Sequence, residues 1–207
     1  LFDFYREHWY LIPILLALLA LTVFLLVKAA RGRGEINRSK QTQLARLQEQ
    51  KDALNAYRRW RNSGGDITDK QLFMGYALEI QSKMQTAEDL ASTFGALSED
   101  EKQIYALYFA LEDEVYPAPS HFFKEFGKPL TCAARDGFQR FADSESAAAF
   151  AEIYAAHDQD DENASFVPTE IAELDAVIAN SLDRAGIYKR VASVVESLIR
   201  LNFQQKF

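Results

Sequence analysis

The sequence predicts an all-α protein with a single N-terminal transmembrane helix, a juxtamembrane helix and a compact multi-helix head domain. One long apolar run stands near the N-terminus, apolar residues recur at helical spacing through the rest, and no stretch alternates convincingly at period two. The expected divisions are an extracytoplasmic flank over 1–8, the span over 9–27, a basic stalk over 28–62 and an acidic head over 63–207.

Trp9 to Val27 contains no charged residue. At about 1.5 Å per helical residue the run covers roughly 28 Å, close to the hydrocarbon thickness of a bilayer. Pro13 falls in the first turn, where a missing N–H costs little. Trp9 and Tyr10 suit the outer interface, and Lys28, Arg31 and Arg33 follow the run, so these five residues are the expected membrane anchor. The positive-inside rule then puts the C-terminal side in the cytoplasm. A cleaved signal peptide is the rival, but it would need a basic leading segment and a shorter apolar core.

The formal net charge of −7 over 207 residues conceals two opposite regions. From Lys28 to Asn62 ten Lys or Arg stand against three acids, a net of +7. From Ser63 to Phe207 twelve stand against twenty-five, a net of −13. A chain of this length supports one helical domain and a connecting stalk rather than two large domains. The single cysteine, Cys132, cannot form an intrachain disulfide and reads as a small packed residue.

Good helix formers fill Glu35 to Arg61, with Leu44, Leu47, Leu54, Tyr57 and Trp60 on a thin stripe. A parallel coiled coil through Leu47 and Leu54 would place Lys51 and Arg58 at core positions, so a single helix with a basic face is favoured. Asn62-Ser63-Gly64-Gly65-Asp66 breaks the pattern. Thr68 and Gln71 have capping-box spacing and open a helix with Leu72, Tyr76, Ile80 and Met84 inward, ending near Gly95. Ser98 and Glu101 form a second box, opening a helix to Tyr116 on which Ile104, Leu107, Tyr108, Leu111 and Val115 share a face. Pro117 and Pro119 stop it. A turn from Ser120 to Phe126, helices over Leu130–Ala142 and Ala147–Ala156, and an acidic loop over Asp158–Ser165 follow. Pro168 opens a helix to about Leu182, and Asp183 caps a last one to about Asn202.

No phosphate loop, nucleophile elbow, C-x-x-C or H-E-x-x-H motif is present, so no catalytic residue, cofactor or metal ligand is assigned. His8, His121 and His157 are too few for the usual zinc sets without distant carboxylates. Asp158, Asp160 and Glu162 have the start of a calcium-loop rhythm, but Asn163 replaces the turn glycine and Thr169 the bidentate glutamate, leaving a solvated loop as the reading. Glu112, Asp113 and Glu114 fan out by about 100° each on a helix and cannot all face one metal.

From Tyr105 onward, YALYFALEDEVYPAPSHFFKEFGKP resembles the signature of the bacterial DNA mimic protein 19 family through Glu114, Val115, Phe122, Phe123 and Gly127. Leu174-Asp175 and Leu198 to Asn202 are similar to the family's closing segment. Where that family has Asn-Gly-Gly in the turn, this chain has Pro117-Ala118-Pro119. The resemblance implies an all-α head, with room for a homodimer, that binds rather than catalyses. In that family acidic side chains spaced like phosphates occupy the DNA-binding surface of a protein partner.

The combined expectation is a single-pass protein of the bacterial inner membrane with a non-catalytic cytoplasmic head. A basic protein partner would meet Glu112, Asp113 and Glu114, together with Asp158, Asp160, Asp161 and Glu162. That partner could be a DNA-binding regulator, a neutralised toxin or a neighbouring membrane subunit; nucleic acid itself would be repelled. The alternatives are a structural accessory subunit of a membrane complex, touching its neighbour through an apolar patch, and a metal-dependent hydrolase built around His121 or His157.

Overall fold

A computed structural model describes residues 40–112, 119–157 and 168–204. The chain divides into two compact units, Leu1–Glu49 and Gln50–Phe207. Helix α1 covers 40–63, and its residues from Gln50 onward belong to the second unit. The second unit continues with α2 (Asp69–Gln85), α3 (Leu90–Ala96), α4 (Glu99–Glu112), α5 (Pro119–Glu125), α6 (Leu130–Phe141), α7 (Ser144–Ala156), α8 (Pro168–Ser181) and α9 (Arg184–Gln204). Every regular element among the described residues is helical.

Local chemistry sets most helix starts. In the first capping box the Gln71 N–H donates to Thr68 Oγ1, and the Thr68 N–H to Gln71 Oε1, both at 3.3 Å. The second closes with Ser98 N–H on Glu101 Oε2 at 3.0 Å and Glu101 N–H on Ser98 Oγ at 3.3 Å. Each box satisfies amide donors that a helix start leaves without partners. Asp183 likewise accepts from the Gly186 N–H at 2.9 Å to open α9. At the end of α1 the Gly64 N–H returns to the Trp60 carbonyl, and Gly64 and Gly65 take φ of 71° and 110°, a region costly for residues with a side chain.

Three boundaries differ from expectation. The helix predicted to run to Gly95 breaks in two, because Thr86 Oγ1 bonds back to the carbonyls of Ser82 and Lys83 and Asp89 Oδ1 captures the Ala91 and Ser92 amides to start α3. The segment after Pro119 is a helix rather than a turn. Helix α7 starts at Ser144, three residues before the expected Ala147, since Asp143 accepts from the Ser146 N–H at 2.8 Å.

The fold class read from the sequence also included a transmembrane helix, and this is corrected. Among the described residues no helix is long and apolar enough to cross a membrane. Even α9, with 21 residues, carries Arg184, Lys189, Arg190, Glu196 and Arg200, a density of charge that hydrocarbon does not accept. Trp9–Val27, including Tyr10, and the flanking Lys28, Arg31 and Arg33 lie outside the described residues. The architecture is all-helical, with no spanning element among the described residues.

Within Gln50–Phe207 the helices neighbour one another in the order α9, α2, α4, α6, α7, α8, and α5 touches α4, α7 and α8. Helix α2 is covered on several sides: Leu72 to Ala77 are all buried, not only the predicted Leu72 and Tyr76. It has α4 and α9 as neighbours, and Ala53 and Tyr57 of α1 stand over its Gly75. A helix covered on several sides must be apolar around most of its circumference.

Glu79 of α2 sits between two arginines of α1, accepting from Arg61 Nη1 at 3.0 Å and Arg58 Nε at 3.1 Å. Burial works to raise its pKa, and the hydrogen bonds from Arg61 and then Arg58 outweigh that, holding the carboxyl below its ordinary value of 4.5. The stabilisation is therefore present above the unfolded value and lost as pH falls through the lower folded one. Glu79→Gln is expected to cost about 1–2 kcal/mol at neutral pH. In urea titrations against pH, that difference from wild type should vanish as the pH drops below the ordinary carboxylate range.

Candidate functional site

The acidic stretch singled out by sequence begins where α4 ends. Glu112 closes that helix with its side chain only 11% exposed. Its carboxylate accepts the Tyr188 hydroxyl of α9 and lies 3.9 Å from Lys70 Nζ of α2. Burial, and then the Glu112 carboxylate, push the Tyr188 hydroxyl above its ordinary range. The Tyr188 ring stacks on Phe73 with centroids 5.5 Å apart. Glu112 is thus largely covered, with its carboxylate engaged by Tyr188 and Lys70.

A related tie holds the other end of the α2–α4 pair, where Lys83 Nζ lies 4.0 Å from Glu101 and the Tyr76 hydroxyl donates to the same carboxylate at 3.5 Å. The two helices run antiparallel, with a lysine of α2 beside a glutamate of α4 at each end.

Beyond residues 113–118 the chain resumes at α5, and its second residue is held from α8. Asp175 Oδ1 accepts the Ser120 N–H at 3.0 Å and Asp175 Oδ2 accepts the Ser120 hydroxyl at 2.6 Å, with Ser120 only 6% exposed. The chain positions on either side of 113–118 are therefore fixed to remote helices, Glu112 to α9 and Ser120 to α8. Asp113 and Glu114 lie outside the described residues, as do Asp158, Asp160, Asp161 and Glu162.

The aromatic pair belongs to the core. Phe122 and Phe123 are 2% and 1% exposed, and their rings stand 6.4 and 4.9 Å from Phe150 of α7, which stacks on Phe138 of α6 at 3.9 Å. His121 is exposed beside them. His157 caps the end of α7, its ring 5.9 Å from Phe123. Among the described residues no group of three or more His, Cys, Asp or Glu side chains could hold a metal ion. Cys132 stands 3.5 Å from Arg135 Nη2, and that guanidinium is paired to Asp136 and lies over the Tyr154 ring.

Apolar surface is sparse. Among the described residues of Gln50–Phe207 the large exposed hydrophobic side chains are Leu90, 60% exposed, and Leu201, 58%. Two leucines supply far less than the roughly 300–600 Å² of an apolar interaction patch.

Sequence reasoning missed Tyr188 and Lys70, and met Asp175 only within a resemblance. The Ser120–Asp175 and Glu112–Tyr188 pairs are 55 and 76 residues apart, so no local spacing could have announced them. No family model, curated protein or solved structure matches this chain.

Proposed function

We propose that the acidic region 63–207 is a non-catalytic protein-binding module that engages a basic protein partner. The observation that carries this reading is charge: twenty-five acids against twelve Lys or Arg, a net of −13. Such a field draws in a basic protein surface and repels a phosphate backbone. The resemblance of Tyr105 to Pro129 to the DNA mimic protein 19 family supports the same direction, because there acidic side chains stand in for phosphates. The contact acids are Asp113 and Glu114 with Asp158, Asp160, Asp161 and Glu162. Glu112 is left out, since its carboxylate serves Tyr188 and Lys70.

The test reverses charge in the full-length chain, with Asp113→Lys and Glu114→Lys in one variant and Asp158→Lys, Asp160→Lys, Asp161→Lys and Glu162→Lys in a second, then both sets together. Co-purification of a basic partner should fall with each set and disappear with both. Its salt sensitivity should weaken in parallel, because exposed charges act through a field that salt screens. Undiminished co-purification with the combined variant overturns the assignment.

A further inference from the structure

The same unit carries one surface of opposite sign. From Gln50 to Asn62 four cations, Lys51, Arg58, Arg59 and Arg61, face a single acid, Asp52. Glu79 answers both Arg58 and Arg61, so one carboxylate serves two guanidiniums and local positive charge is left over. Beside them opens a hollow of about 710 Å³, lined by Asp52, Asn55, Arg58, Arg59 and Asn62 of α1 and by Gln71 of α2.

Its donors are aligned and uncommitted. Asn55, Arg59 and Asn62 follow the i, i+4, i+7 spacing that puts three side chains on one helical face. Arg59 makes no ion pair among the described residues; only its backbone carbonyl is used, by Ser63 Oγ at 2.9 Å. Gln71 spends its amide oxygen on the Thr68 N–H, which leaves the NH₂ group to donate. The lining contains no aromatic ring, so a nucleobase finds no face to stack on. Guanidinium and amide donors without an aromatic ring suit a compact, highly charged oxyanion, since the planar fork of arginine matches phosphate oxygens two at a time.

We propose that this hollow is a binding site for a small phosphoanion of the phosphate or diphosphate class, with Arg59 as its principal ligand and Asn55, Asn62 and the Gln71 amide as supporting donors. None of its residues is among the proposed contact acids.

Isothermal titration of the full-length chain with inorganic pyrophosphate tests it. The expected result is saturable one-to-one binding, weakened by about tenfold or more in Arg59→Gln. Asn62→Asp, which adds a carboxylate to the hollow, should weaken it too. Arg200→Gln, altering an α9 side chain that is 81% exposed, should bind like wild type. Circular dichroism melts establish that the Arg59 variant is folded. The proposal is overturned if pyrophosphate gives no saturable heat, if sodium chloride at matched ionic strength reproduces the titration, or if Arg59→Gln binds as tightly as wild type.

Discussion

Gly75→Ala is expected to lower the unfolding free energy by about 1–3 kcal/mol and to loosen residues 50–63 from α2. A methyl at this position would overlap Tyr57 Cβ and stand 2.8 Å from the Ala53 carbonyl oxygen. Neither atom can swing aside, one being the root of a side chain and the other backbone, so α1 itself must move. Alanine regains about 1 kcal/mol of helix propensity, which offsets only part of that strain. Moving α1 also disturbs the Tyr57 ring, which is 2% exposed and meets Tyr76 edge-on at 5.9 Å, and the bond from Gln50 Nε2 to the Tyr108 hydroxyl. Hydrogen exchange should report lost protection over 50–63 before the rest of the unit. Gly95→Ala is the matched control, because nothing lies within 4 Å of a Cβ placed there. Equal stability of the two variants would show that the close approach at Gly75 is not needed.

Phe150→Ala should cost more, about 3–5 kcal/mol in urea unfolding. Its ring has no exposed surface and packs against Phe138 with planes 8° apart, while Phe122 and Phe123 approach from α5. Truncation removes the buried ring and leaves a cavity among three helices, which a close-packed interior refills only in part. Phe150→Leu keeps much of the volume and should cost about 1.5 kcal/mol or less. Helix α5 has only seven residues and depends on these rings and on the Asp175 bonds to Ser120 for its position. On the proposed function, loosening α5 frees one end of the acidic segment over 113–118. Phe150→Ala should therefore weaken partner capture even where the chain remains folded.

The residues singled out in the sequence from 112 onward divide according to where they sit. Phe122 and Phe123 are core, Glu112 is committed to Tyr188, and Asp175 holds the start of α5 through Ser120. Their spacing is legible in the sequence, but a buried ring and a surface ring have the same letter. Only packing distinguishes them.

What the sequence determined by itself is local. Both capping boxes, the glycine joint after Asn62, the inward faces of α2 and α4 and the Asp183 start of α9 all follow from residues within a turn or two of one another. Their physics is satisfied amides and apolar periodicity, and neither needs a distant partner. The net charge of the acidic region is equally a property of the chain alone. Only the tertiary structure decided that six consecutive residues of α2 are buried, that Gly75 must lack a side chain, that Glu112 meets Tyr188 and that Ser120 hangs from Asp175. Each depends on a second segment brought close by folding. Burial of a charged or polar group is set by what packs over it, which its own neighbours in sequence do not encode.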